Sequence, residues 1–98
     1  MLAIGMLDET ESALRLLLIL YKAKKPIATM ELYDKAKTMY NIGKYSIKTA
    51  ENLCIKLGLV KIESMKVGRN PKPSVFHSLT DKGKKVAKII YELEKALS

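Results

Sequence analysis

The chain has 98 residues, 48 % of them hydrophobic and 29 % charged, with a net charge of +8. That length makes one domain, expected over 1–98, and no run reaches the roughly 18 apolar residues needed to cross a membrane. The single cysteine, Cys54, allows no internal disulfide, and the opening Met1 to Leu7 lacks a basic start and runs into acids, unlike a signal peptide; both fit a cytoplasmic protein.

The charge is unevenly placed. Lys44, Lys48, Lys56, Lys61, Lys66, Arg69, Lys72, Lys82, Lys84, Lys85 and Lys88 face only Glu51, Glu63 and Asp81 in the same stretch, which therefore carries the whole net charge. A basic half beside a neutral one is the footprint of a polyanion binder. A lysine-rich solubilising surface gives the same total, so the elements that carry these charges decide between the two.

In chain order, the first helix is predicted over Glu9 to Lys24, capped by Asp8 with Glu11 three residues on. Leu14, Leu17, Leu18 and Tyr21 give its buried face. Leu16, Ile19 and Leu20 exceed the need of one small core and point to a second packing partner. The apolar arm 1–7 before it is costly to leave in water.

Pro26 ends this region. Thr29 is the expected cap of a second helix, with Glu31 in its first turn and Leu32, Tyr33, Ala36, Met39 and Tyr40 on its buried side. Asn41-Ile42-Gly43-Lys44 reads as a short turn, because Asn and Gly tolerate the left-handed conformation.

A third helix is predicted from Ser46 to Gly58. At 100° steps Ile47, Ala50, Leu53, Cys54 and Leu57 share one face, while Lys48, Thr49, Asn52 and Lys56 lie opposite, with Tyr45 at the entrance. Amide, hydroxyl and ammonium groups so placed can contact base edges and phosphates. A solvated helix face would look the same, and the helix and short turn placed before it favour the DNA reading.

Leu59 to Glu63 alternates as a half-buried strand, and Val75 to Leu79 is a second run. Between them Lys66-Val67-Gly68-Arg69-Asn70-Pro71-Lys72-Pro73 holds bases and turn residues and no acid, a stiff cationic hairpin tip. Thr80 is the expected cap of a last helix, 81–97. Its Val86, Ile90, Leu93 and Leu97 form a short heptad seam.

This order of elements resembles the winged helix-turn-helix regulators, in particular the MarR-type and PadR-type families and small archaeal relatives. Two phrases carry the likeness: Leu57-Gly58-Leu59-Val60-Lys61, similar to the junction where the recognition helix enters the wing, and Phe76 to Lys84, similar to the segment leading out of it. The resemblance covers about Glu11 to Leu97. It implies an α+β, mainly α fold with a three-helix core, a two-stranded β-wing and a C-terminal helix. It also implies a transcriptional regulator that binds double-stranded DNA, with a recognition helix at about 46–57 in the major groove. By position, Tyr45, Ser46, Lys48, Thr49, Asn52 and Lys56 inherit the reading role, with Lys44 in the turn before them. The wing, 66–73, would touch backbone or minor groove through Lys66, Arg69, Asn70 and Lys72. Glu51 departs from the pattern, since a carboxylate in this helix repels phosphate unless it faces along the groove.

No Cys-x-x-Cys or His-x-x-x-His spacing marks a metal site, and Gly43-Lys44 lacks the rest of a phosphate-binding loop. His77 and Cys54 are expected to be structural, with no nucleophile–base–orienter pattern around them, so no enzyme, metal or cofactor is expected. Single-stranded nucleic acid would need an exposed aromatic platform, and the tyrosines mostly fall on buried stripes. The rival reading is a winged-helix protein-interaction module, which typically loses the basic face and wing. A homodimer is expected through Leu16, Ile19 and Leu20 of the first helix and Val86, Ile90, Leu93 and Leu97 of the last. It would set two recognition helices about 34 Å apart on a palindrome.

Overall fold

The computed structural model describes residues 4–66, 68, 69 and 72–98, with side chains from residue 10 onward. The elements in chain order are α1 (Ile4–Ala23), β1 (Ile27–Ala28), α2 (Thr29–Tyr40), α3 (Lys44–Lys56), β2 (Val60–Met65), β3 (Ser74–Leu79) and α4 (Asp81–Leu97). The sheet is antiparallel, in the order β1-β3-β2.

α1 is the central element. It packs against α3, α4, α2 and β3, so its apolar residues are covered on several sides rather than along one stripe. Leu16, Leu17, Leu18, Ile19 and Leu20 are all buried within the single chain. This corrects one expectation: Leu16, Ile19 and Leu20 are not surplus for a dimer partner, because the elements around α1 bury them in the core of the single chain. The start is corrected as well. Helical backbone begins at Ile4, so Asp8 lies inside the helix and does not cap it. Extending an existing helix by a turn costs little once it is nucleated, and Met and Leu are good helix formers. Of the expected arm 1–7, residues 1–3 lie outside the described residues and the rest is helix from Ile4.

Lys24 follows α1 with φ 58°, and the chain then enters β1, a two-residue strand absent from the sequence-based expectation. Ile27 pairs with His77 and Ala28 with Phe76, which makes β3 the centre of the sheet and adds a third strand to the two expected. Two residues are too few to show a period, but Ile27 is fully buried and anchors the sheet to the core.

α2 ends as expected on Asn41 in the left-handed conformation, φ 54°, whereas Gly43 is extended. α3 starts at Lys44, two residues earlier than predicted. β2 and β3 each reach further toward the hairpin tip than expected, pairing from Val60↔Leu79 to Met65↔Ser74. β2 is an edge strand, and of its residues only Val60 is buried.

α4 is capped by Thr80, whose Oγ1 accepts from the Gly83 N–H at 3.0 Å, as its sequence promised. The two phrases singled out in the sequence meet here. Thr80 N–H donates to Leu59 O at 3.0 Å, its hydroxyl donates to Gly58 O at 2.6 Å, and Lys82 Nζ donates to Leu57 O at 3.0 Å. Gly83 is buried against the Leu59 carbonyl, at a distance that leaves no room for a side chain. The joint locks the end of α3, the start of β2 and the start of α4 together.

The seam of α4 is divided. Ala87 is buried, and Val86 and Ile90 are half-buried against the core, so they mainly close the monomer. Leu93 (57 % exposed) and Leu97 (79 %) project beyond it, with Ile89 (66 %) nearby. Arg15 and Lys22 of α1 pair with Glu94 at 3.3 and 3.6 Å and hold this end of α4 to α1. Both pairs are only partly buried and still meet solvent, so each adds little stability. No helix of the described residues is long and apolar enough to cross a membrane.

Candidate nucleic-acid interface

α3 presents the two faces its sequence called for, with one exchange. Ile47, Ala50, Glu51 and Cys54 are buried, and Leu53 packs half-buried against the core. Leu57 was expected on this face but is half exposed, because it is the C-cap residue where the helix stops. Glu51 takes the buried stripe instead, at the i, i+3, i+4, i+7 spacing shared by residues 47, 50, 51 and 54.

The turn of Glu51 into the core answers the question its charge raised. Its Oε2 lies against His77 Nδ1 on β3, an ion pair when the imidazole is protonated, and no other polar group among the described residues meets either atom. On its other side, His77 Nε2 and the Thr29 hydroxyl are hydrogen-bonded at 2.7 Å, and the protonation state of the ring sets which of them donates. Thr29 is therefore not the cap of α2. That position belongs to Ala28, which has no side-chain cap, and the Thr29 hydroxyl serves the imidazole.

The result is a hydroxyl–imidazole–carboxylate chain, a connectivity the sequence did not disclose. His77 is buried and both ring nitrogens are engaged, so the chain acts as a tie joining α2, β3 and α3. The signal that could have revealed it was Glu51 on the apolar stripe of one element and His77 on the core-facing alternation of another. One turn from Glu51, burial pushes the Cys54 thiol up to about 11, with the carboxylate adding to the effect.

The outer face of α3 is left cationic. Lys48, Asn52 and Lys56 are exposed, as are Lys44, Tyr45 and Ser46 in the first turn. Tyr45 is 84 % exposed, an aromatic ring standing free at the head of the helix. Thr49 is half-buried, and its hydroxyl donates to Tyr45 O at 3.0 Å, which holds it to its own helix. Lys44 Nζ lies 5.5 Å from the centre of the Tyr33 ring, a cation–π contact that ties α3 to α2. With Glu51 inside, no acid of α3 faces solvent.

The hairpin extends the same sign. Lys66, Arg69 and Lys72 are exposed beyond the ends of β2 and β3, and Gly68 turns with φ 62°. Asn70, expected to share this contact, lies outside the described residues. On the strands, Glu63 pairs with Lys61 at 3.4 Å.

Two helices joined by the short turn 41–43, followed by a hairpin and flanked by α1 and α4, define a winged helix-turn-helix domain. Among solved structures the chain is similar to F-93 of SSV1, with a TM-score of 0.60, 24 % identity, and 88 % of this chain and 92 % of that one covered. It is also similar to Pex from Synechococcus sp., with a TM-score of 0.65, 17 % identity, and 93 % and 82 % covered. These are likenesses of fold. No protein-family model matches the sequence, and no curated protein matches it.

Proposed function

We propose that the chain is a sequence-specific double-stranded DNA-binding transcriptional regulator of the MarR-type or PadR-type winged-helix kind. The observation that carries this reading is the sign of the exposed charge. The acid in α3 is buried on His77, while Lys44, Lys48, Lys56 and the wing-tip bases remain outside. A protein-interaction module has no need to keep such a face. In this reading α3 enters the major groove, where Ser46, Lys48, Asn52 and Lys56 meet bases and phosphates and Tyr45 lies against the backbone. Lys66, Arg69, Asn70 and Lys72 hold the wing on phosphates or in the minor groove.

The regulator acts as a homodimer in this reading. With Leu16, Ile19 and Leu20 assigned to the monomer core, the contact falls to the outer end of α4, where Leu93 and Leu97 are exposed with Ile89. Two copies so joined would read a palindrome with half-sites roughly one helical turn apart.

Selection of bound sequences from a random duplex library tests this function. A recovered motif is expected, and Asn52→Ala should lose roughly 1–3 kcal/mol on it and blur preference at one position. A library that yields no enriched sequence, or an Asn52→Ala protein with unchanged preference, contradicts the reading role. Failure to bind any duplex at low salt, where nonspecific binding is strongest, favours the protein-interaction module instead.

A further inference from the structure

A cavity of about 400 Å³ opens where the end of α1, the α1–β1 link, β2, β3 and the start of α4 meet. Leu20, Pro26 and Leu79 form its apolar side, and Lys24, Lys25, Lys61 and Lys84 stand around it. No carboxylate lines it. Lys61 is partly answered by Glu63, but Lys24, Lys25 and Lys84 have no ion-pair partner among the described residues. Four like charges around one cleft repel one another and raise the local concentration of anions. None of the four belongs to the DNA-reading surface on α3 and the wing tip.

A second observation concerns Lys24 itself. It ends α1 in the left-handed conformation, φ 58°, which is unfavourable for a residue with a long side chain. α2 ends in the same conformation on Asn41, φ 54°, a residue suited to it. Lysine is a poor choice for the turn, and it stands beside the cleft. The neutral donors Tyr21 and Ser78 also line the cavity, so hydrogen bonds are offered beside the charge.

We propose that this cavity binds a small amphiphilic anion, with a carboxylate or phosphate head among the lysines and an apolar body against Leu20, Pro26 and Leu79. Cavities of this size sit in the usual range for small-molecule sites, and a body of about six to ten carbons fits within it. The site is separate from DNA binding and stands whether or not the chain reads a duplex.

Octanoate and octyl phosphate, titrated into the full chain and followed by backbone amide shifts, are the probes. Acetate and inorganic phosphate serve as head-only controls and octanol as the tail-only control. Saturable shifts are expected at 21–25, Lys61, Ser78 and Lys84, with at least one amphiphile binding about tenfold or more tighter than every control. The tighter of the two amphiphiles identifies the head group. Lys24→Gln with Lys84→Gln, and separately Lys25→Gln with Lys61→Gln, should each weaken binding by about tenfold at unchanged Tm, since all four side chains are exposed. Equal binding of inorganic phosphate or acetate means an ion site only and overturns the proposal. So does the absence of saturation, or shifts centred elsewhere. A DNA duplex that produces the same shifts and is not displaced by either amphiphile assigns these lysines to DNA and overturns it as well.

Discussion

Replacing Gly83 by alanine reverses a rule that holds on most helices. In an open helical position Gly→Ala stabilises by about 1 kcal/mol, because alanine restricts the unfolded chain and suits the helix. At Gly83 the added Cβ would lie 1.9 Å from Leu59 O, 2.8 Å from its carbonyl carbon and 3.2 Å from its Cα. These are backbone atoms of the α3–β2 junction and cannot swing aside as a side chain tip can. Relief requires α4 to lift by more than an ångström, which breaks or stretches the Thr80–Leu59 and Thr80–Gly58 bonds. Overpacking of this kind costs about 1–3 kcal/mol and each lost hydrogen bond about 1 kcal/mol, so a net loss of roughly 2–4 kcal/mol is expected after the helix gain is deducted. Urea denaturation with a shared m-value measures it, and in a domain of this size Tm should fall by about 8 °C or more. Lys84→Ala, next door on the exposed side, should stay within about 0.5 kcal/mol of the parent. A Gly83→Ala protein as stable as the parent would refute the packing of α4 on the junction.

Other outcomes follow from the same contacts. Glu51→Ala leaves His77 Nδ1 buried without its partner and should cost about 1–3 kcal/mol. A double-mutant cycle with His77→Ala should give a coupling above about 1 kcal/mol, and additivity within error would dissolve the tie. The Cys54 thiol is raised from 9.0 to about 11, so the folded state holds its proton more tightly than the unfolded state does. Its contribution is therefore full below pH 9 and lost as pH rises to 11, on the order of 2 kcal/mol. Cys54→Ala should show a correspondingly shallower alkaline loss, and identical pH slopes would argue against this burial effect. Sedimentation equilibrium at micromolar concentration should find about twice the 11.0 kDa chain mass, and the monomer for Leu93→Asp with Leu97→Asp. A wild-type monomer would remove the dimer.

What the sequence disclosed was mostly local. The Thr80 cap, the Asn41 stop and the two faces of α3 depend on residues within a turn or two of each other, and their chemistry reads directly from spacing. The meeting of Leu57-Gly58-Leu59 with Thr80 to Gly83 was legible as a pair of phrases, though not as a joint. What escaped depends on distant partners. Thr29 reads as a cap until His77, far along the chain, takes its hydroxyl. Glu51 reads as a surface acid because of its charge, although periodicity sets it on the buried stripe, where only a distant partner could receive it. The run Leu16 to Leu20 reads as surplus until α2, α3, α4 and β3 are set around α1. β1 carries no period at all, being two residues defined by their pairing with β3.

DNA binding by α3 and the wing is tested most directly by the salt dependence of duplex affinity. Fluorescence anisotropy on one labelled duplex, from about 50 to 200 mM salt, would compare the parent with Lys66→Gln, Arg69→Gln and Lys72→Gln combined. The parent should bind with a steep negative log–log slope, and the triple variant should flatten it by about 0.9 per lost phosphate contact, two to three units in all. Absence of binding at the lowest salt, or a triple variant with the slope of the parent, would contradict a wing that holds DNA.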